Sequence, residues 1–100
     1  MTCQTKSRSL VRALNTLIPK ASIAILHERP WYSLTFCGAQ ICIAVALPET
    51  SKEQRSAITQ LLENHEFSLP RQLVADIAVT ETAILDGTYR LIVDALLLDD

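Results

Sequence analysis

The chain is 100 residues long, 49% hydrophobic and 20% charged, with two glycines, four prolines and a net charge of −2. That length supports one domain with a single core, and the balance excludes a disordered chain, which would be poor in apolar residues and rich in charge. The slight acidity gives no footing for nucleic acid, and no stretch approaches the ~20 apolar residues that span a bilayer.

The N-terminal part is basic. Residues 1–27 hold Lys6, Arg8, Arg12 and Lys20 and no acid, whereas residues 28–100 hold five cations against eleven anions. An acid-free stretch rich in Ser and Thr has the composition of an organellar transit peptide. The apolar residues, however, form a stripe that a sheet would need covered, so the basic side reads as the solvated face of a first helix. Arg12 and Asn15 also interrupt the apolar run of a secretory signal.

Leu10, Ala13, Leu14, Leu17 and Ile18 recur at i, i+3, i+4, i+7 and i+8, one face of that helix. Ser7 or Ser9 caps its start, and Pro19 ends it because proline cannot continue the hydrogen-bond ladder. Residues 22–27 read as a short strand with Ile23 and Ile25 on one side, followed by a turn at Glu28-Arg29-Pro30. A hairpin comes next, with strands over 31–37 and 40–47 joined by a two-residue turn at Gly38-Ala39, the type that wants glycine first. This register pairs Phe36 with Ile41 and Leu34 with Ile43. It sends Tyr32, Leu34, Phe36, Ile41, Ile43 and Val45 to the core.

A second helix opens after Pro48, with a capping box formed by Ser51 with Gln54 or by Thr50 with Glu53. Its apolar face is Ala57, Ile58, Leu61 and Leu62, and it ends near Asn64. The loop over 65–71 tucks Phe67 and Leu69 under the rim of the sheet. In the last hairpin, a two-residue turn at Asp86-Gly87 would mix polar and apolar residues on both faces. A three-residue loop with a bulge at Gly87 pairs Ile84 with Thr88 and keeps the faces distinct. A one-residue slip exchanges every side chain between faces, so burial favours the bulged loop.

The expected fold is a single α+β domain over residues 1–100, in order α-β-β-β-α-β-β. It has two layers: a five-stranded antiparallel sheet with both helices on one face. The first five elements resemble the double-stranded-RNA-binding domain in order. Where such domains place a lysine cluster, this chain has Lys52-Glu53-Gln54-Arg55, too weakly basic to grip phosphates. The full order is similar to that of small acidic type III secretion chaperones without their final helix. Shared order carries no function, and the residues themselves identify no family.

Catalytic constellations are thin. Neither glycine belongs to a phosphate-binding loop. Cys37 and Cys42 lack zinc-knuckle spacing, and only His27 and His65 could complete a metal set, so no metal and no cofactor is assigned. A disulfide between the two cysteines would need the alternative turn at Ala39-Gln40. No spacing sets either histidine beside a cysteine as its base, and Asp76 and Asp94 on one face read as a polar patch. Three cysteines, an odd set, fit reduced thiols in the cytoplasm.

The sheet face turned away from the helices carries more information. It receives Ser33, Thr35, Cys37, Cys42, Ala44 and Ala46 from one hairpin, and Ala78, Ile92, Leu96 and Leu98, with Thr80, Thr82, Arg90 and Asp94, from the other. Small and apolar residues allow another layer to come close. The functional expectation is a non-enzymatic protein-interaction module, a homodimer working through this face or through an edge strand, with a further protein or peptide as a candidate partner. The candidate interface is Thr35, Cys42, Ala44, Ala46, Ala78, Ile92 and Leu96. The alternative is a small-molecule-binding protein or minor enzyme, with a pocket between helices and sheet near His27 and Trp31.

Overall fold

The computed structural model describes residues 7–48 and 50–99. Its elements are helix α1 (Ser7–Leu17), strands β1 (Ser22–Tyr32) and β2 (Cys37–Leu47), helix α2 (Lys52–Asn64), and strands β3 (Gln72–Leu85) and β4 (Thr88–Asp99). The strands form one antiparallel sheet in the order β1-β2-β4-β3. The α+β class stands, but among the described residues the sheet has four strands and the element order is α-β-β-α-β-β. The expected likeness in element order to RNA-binding domains and secretion chaperones falls with the fifth strand.

The missing strand is explained at Pro30. Glu28-Arg29-Pro30 is not a turn; β1 runs straight through it, with Pro30 opposite Ala39. Proline removes a ladder donor, which an edge strand tolerates because one of its sides has no partner. The connection to β2 lies further on, over 33–36. There the Ser33 N–H donates to the Phe36 carbonyl at 2.8 Å, and the Phe36 N–H donates to Ser33 Oγ at 3.0 Å. Serine thus supplies the turn chemistry expected of Gly38. Leu34 projects from the tip wholly exposed (106%) and Phe36 is half exposed, so neither pairs into the core as expected.

Gly38 instead sits within β2, opposite Trp31 and Leu98. A Cβ there would collide with the Leu97 carbonyl oxygen, so glycine serves a close backbone approach rather than a bend.

The β3–β4 hairpin also departs from expectation. Asp86 (φ 49°) and Gly87 (φ 77°) form a two-residue left-handed turn with Leu85 opposite Thr88. The mismatch that disfavoured this turn is real near the tip, where Glu81 opposes Ile92. Bulges then correct it: the register shifts between Val79 and Glu81, and again between Val74 and Asp76. Beyond them Val79, Ile77 and Val74 oppose Val93, Ala95 and Leu97, apolar against apolar. Burial does select the register, through bulges inside the strand rather than at the turn.

Both helices cover one face. Leu10, Leu14 and Ile18 of the first helical segment and Leu62 of α2 join Ile41, Ile43, Val45, Leu47, Tyr89, Leu91, Val93, Ala95 and Leu97 in one core. The first helix lies along β1 and the second along β3. The second helix starts at the Ser51–Gln54 capping box, with Ser51 Oγ accepting from the Gln54 N–H at 3.1 Å and the Ser51 N–H donating to Gln54 Oε1 at 2.9 Å. Phe67 and Leu69 pack against the core as expected. Arg8 and Arg12 of α1 are exposed, on a solvated basic face, while Cys3 and Lys6 lie outside the described residues. Among the described residues no helix is long and apolar enough to cross a membrane.

Candidate interaction surface

Among the described residues no helix covers the opposite face of the sheet. A bulge at Leu26, between Ile25 and His27 in the pairing with β2, decides which β1 side chains reach this face. Before the bulge Ile23 and Ile25 align with the core residues Val45 and Ile43; after it His27, Arg29 and Trp31 align with Cys42, Gln40 and Gly38. Simple alternation would have carried the last three to the core side.

Pairing across all four strands orders the open face into lateral rows. Trp31, Gly38, Leu98 and Leu73 make the first, and Arg29, Gln40, Leu96 and Asp76 the second. His27, Cys42, Asp94 and Ala78 make the third, Ala24, Ala44, Ile92 and Glu81 the fourth, and Ser22, Ala46, Arg90 and Ala83 the last. The two central strands therefore present Ala44, Ala46, Ile92, Leu96 and Leu98. Of the charged side chains, Arg29 lies on edge strand β1 and Asp76 and Glu81 on edge strand β3, while Asp94 and Arg90 lie on the central strand β4.

Six of the expected interface residues (Cys42, Ala44, Ala46, Ala78, Ile92 and Leu96) lie on this face. Thr35 does not, because it belongs to the β1–β2 loop, and Ser33 shares that loop. His27 and Trp31, the expected pocket residues, sit on the open face, with the sheet between them and the helices. Arg29, Ala24 and Leu73 were missed as face residues. Alternation with Ile23 and Ile25 finds Ala24, but no local signal finds Arg29 or Leu73, whose orientation depends on bulges that only strand pairing creates.

The third row holds a His, a Cys and an Asp side by side, but its chemistry is quiet. Burial among its neighbours, then the hydrogen bond and negative charge of Asp94, then the charge of Glu81, push the Cys42 thiol up from its ordinary range. A thiol held protonated is a poor nucleophile, the reverse of what a catalytic cysteine needs. Cys37 and Cys42 are not joined in a disulfide; they lie five positions apart on one strand and face opposite sides, so they cannot form the bridge that an alternative turn would have allowed. Cys37 Sγ instead donates to Asp99 Oδ2 at 3.3 Å. Among the described residues no group of His, Cys, Asp or Glu could hold a metal ion. Asp76 and Asp94 do share the open face, in adjacent rows.

A groove between helices and sheet does exist, at the other end from Trp31. It encloses about 470 Å³ between the end of α1, the end of β2 and the first turns of α2, lined by Leu17, Ile18, Leu47, Ala57, Ile58 and Leu61, with Lys20 among its polar residues. Thr50 also lines it, and Thr50 Oγ1 is buried without a hydrogen-bond partner among the described residues.

Both sheet edges are blunted against strand addition. The β1 edge carries Pro30 and the Leu26 bulge, and β3 carries two bulges. Glu63 also reaches from α2 to accept the Val79 N–H of β3 at 2.9 Å. Prolines, bulges and charged covers are what keep exposed edges from templating a further strand.

Set against known protein families, curated proteins and solved structures, the chain matches none.

Proposed function

We propose that this chain is a non-enzymatic protein-interaction module that forms a homodimer through its open sheet face. The observation that carries the reading is the face itself: Ala44, Ala46, Ile92, Leu96 and Leu98 on β2 and β4 beside the charged Asp94 and Arg90, with Arg29 on one edge strand, Asp76 and Glu81 on the other, and both helices on the other side. The area supports it. Four strands at ~4.8 Å spacing and nine residues at ~3.3 Å give a footprint of roughly 600 Å², within reach of the ~800 Å² per partner of a standard interface. The blunted edges favour the face over strand addition as the route of contact. Reduced thiols at Cys37 and Cys42 fit a cytoplasmic setting under this reading.

Light scattering at micromolar concentration should give twice the mass of one chain. Ala44→Arg, placed at the centre of the face, should give a folded monomer. A wild-type monomer removes the proposal, and an unchanged Ala44→Arg dimer moves the contact elsewhere.

The groove beside Leu47 and Ala57 supports a second reading, a binder of small apolar molecules. Ala57→Trp should fill it and abolish uptake of a fluorescent apolar probe such as anilinonaphthalene sulfonate. Probe binding unaffected by that substitution would discard the groove as a ligand site.

A further inference from the structure

Resting on the homodimer reading, the geometry points to one mode of mating: a two-fold axis parallel to the strands, which sets Arg29 against Asp76 of the partner subunit. Two copies joined face to face by a two-fold axis have that axis in the plane between the sheets. For aligned sheets it runs either across the strands or along them.

An axis across the strands stacks β1 on β1 and β3 on β3. The order of the rows is then reversed: with the axis through the third row, Asp94 meets a second Asp94, Asp76 meets Glu81 of the partner subunit, and Arg29 meets Ala24 of the partner subunit rather than a carboxylate. Like charges set face to face disfavour this arrangement and suppress it as a competing partner geometry.

An axis along the strands stacks β1 on the partner's β3 and β2 on the partner's β4, and it returns each lateral row onto itself. Arg29 and Asp76 occupy opposite ends of one row, through Gln40 and Leu96. Arg29 therefore comes down on Asp76 of the partner subunit, and symmetry makes the same pair a second time. In the first row Trp31 meets Leu73 of the partner subunit, aromatic on aliphatic. Ala24, in the fourth row, leaves space for Glu81 of the partner subunit, one row from His27.

The usual twist between packed sheets does not undo this. Aligned sheets cross at about 30°. At the edge strands, ~7 Å from the axis, that displaces facing residues by only ~4 Å, within the range of a flexible arginine. The charged residues thus decide the orientation of the pair, while Ala44, Ala46, Ile92, Leu96 and Leu98 provide contact in either orientation.

Charge reversal tests this with wild-type chains and two variants, Arg29→Asp and Asp76→Arg, their dissociation constants read by analytical ultracentrifugation. Each variant alone faces like charge twice, and its homodimer should weaken at least about tenfold. Mixed in equal amounts, the two should pair with each other at near wild-type affinity, since each contact is again opposite in sign. That rescue also shows that both variants are folded. Variants that self-associate as wild type does, or a mixture that stays apart, overturn the strand-parallel axis while leaving the dimer intact. A monomeric wild type removes the homodimer reading, and this arrangement with it.

Discussion

Gly38 of β2 lies so close to the carbonyl of Leu97 on β4 that no side chain fits between them. The central pair of strands therefore depends on a residue whose composition-level signal was that of a turn. Gly38→Ala should push the two strands apart and cost about 1–3 kcal/mol, the usual range for forcing an extra group into a packed site. Urea denaturation measures it. An unchanged midpoint would mean that the strands separate there without cost.

The β1–β2 connection makes a paired prediction. Leu34 is wholly exposed, whereas Leu91 is fully buried under the helices. Leu34→Ser should alter stability by less than about 0.5 kcal/mol, and Leu91→Ala should cost about 2–5 kcal/mol through lost burial and a residual cavity. A large loss at Leu34 would instead support the hairpin turning at Gly38-Ala39.

The β3–β4 turn holds Asp86 at φ 49°. Aspartate tolerates that left-handed conformation through local hydrogen bonds, and alanine does so less well. Asp86→Ala should therefore destabilise the protein by up to about 1 kcal/mol. In a three-residue loop, where only Gly87 is left-handed, the same substitution would be neutral. Thermal unfolding separates the two.

Glu63 guards the β3 edge through its bond to the Val79 N–H. Glu63→Ala should cost about 1 kcal/mol and, by freeing a strand-edge donor, raise the rate of aggregation on mild heating. Unaltered turbidity kinetics would show that the two bulges protect this edge by themselves.

The Cys42 thiol is pushed up by burial first and by Asp94 next. In the window above the ordinary thiol range, about 8.5, the unfolded chain has released this proton while the folded chain keeps it, so stability falls as pH rises through that window. Asp94→Asn should lower the thiol's titration and speed its modification by a disulfide reagent at about pH 8, just below that range. Unchanged modification kinetics would show that burial alone sets the reactivity.

Local chemistry was legible where a signal acts over a few residues. The stripe from Leu10 to Ile18, the Ser51–Gln54 box and the alternation from Ile41 to Leu47 each specify an element without reference to the rest of the chain. Turn signals were less secure. Pro30 and Gly38 punctuate most sequences, yet here one is admitted by an edge and the other demanded by a close approach between strands, conditions that no window of sequence contains.

The open face illustrates the same divide. Its β2 and β4 members, Cys42, Ala44, Ala46, Ile92 and Leu96, follow from unbroken alternation and could be named in advance. Its edge members, Arg29, Leu73 and Glu81, could not, because bulges at Leu26, Ala75 and Thr80 each reverse the parity of the strand beyond them.

The amino-acid order alone thus determined the α+β class, both helices and the inward faces of the central strands, because periodicity and capping are short-range effects. Strand number, the sites of the bulges and the opposing charges along the two edges were decided only in the folded sheet. There the burial of one strand against its neighbour outweighs the preference of any single turn, and the backbone absorbs the mismatch.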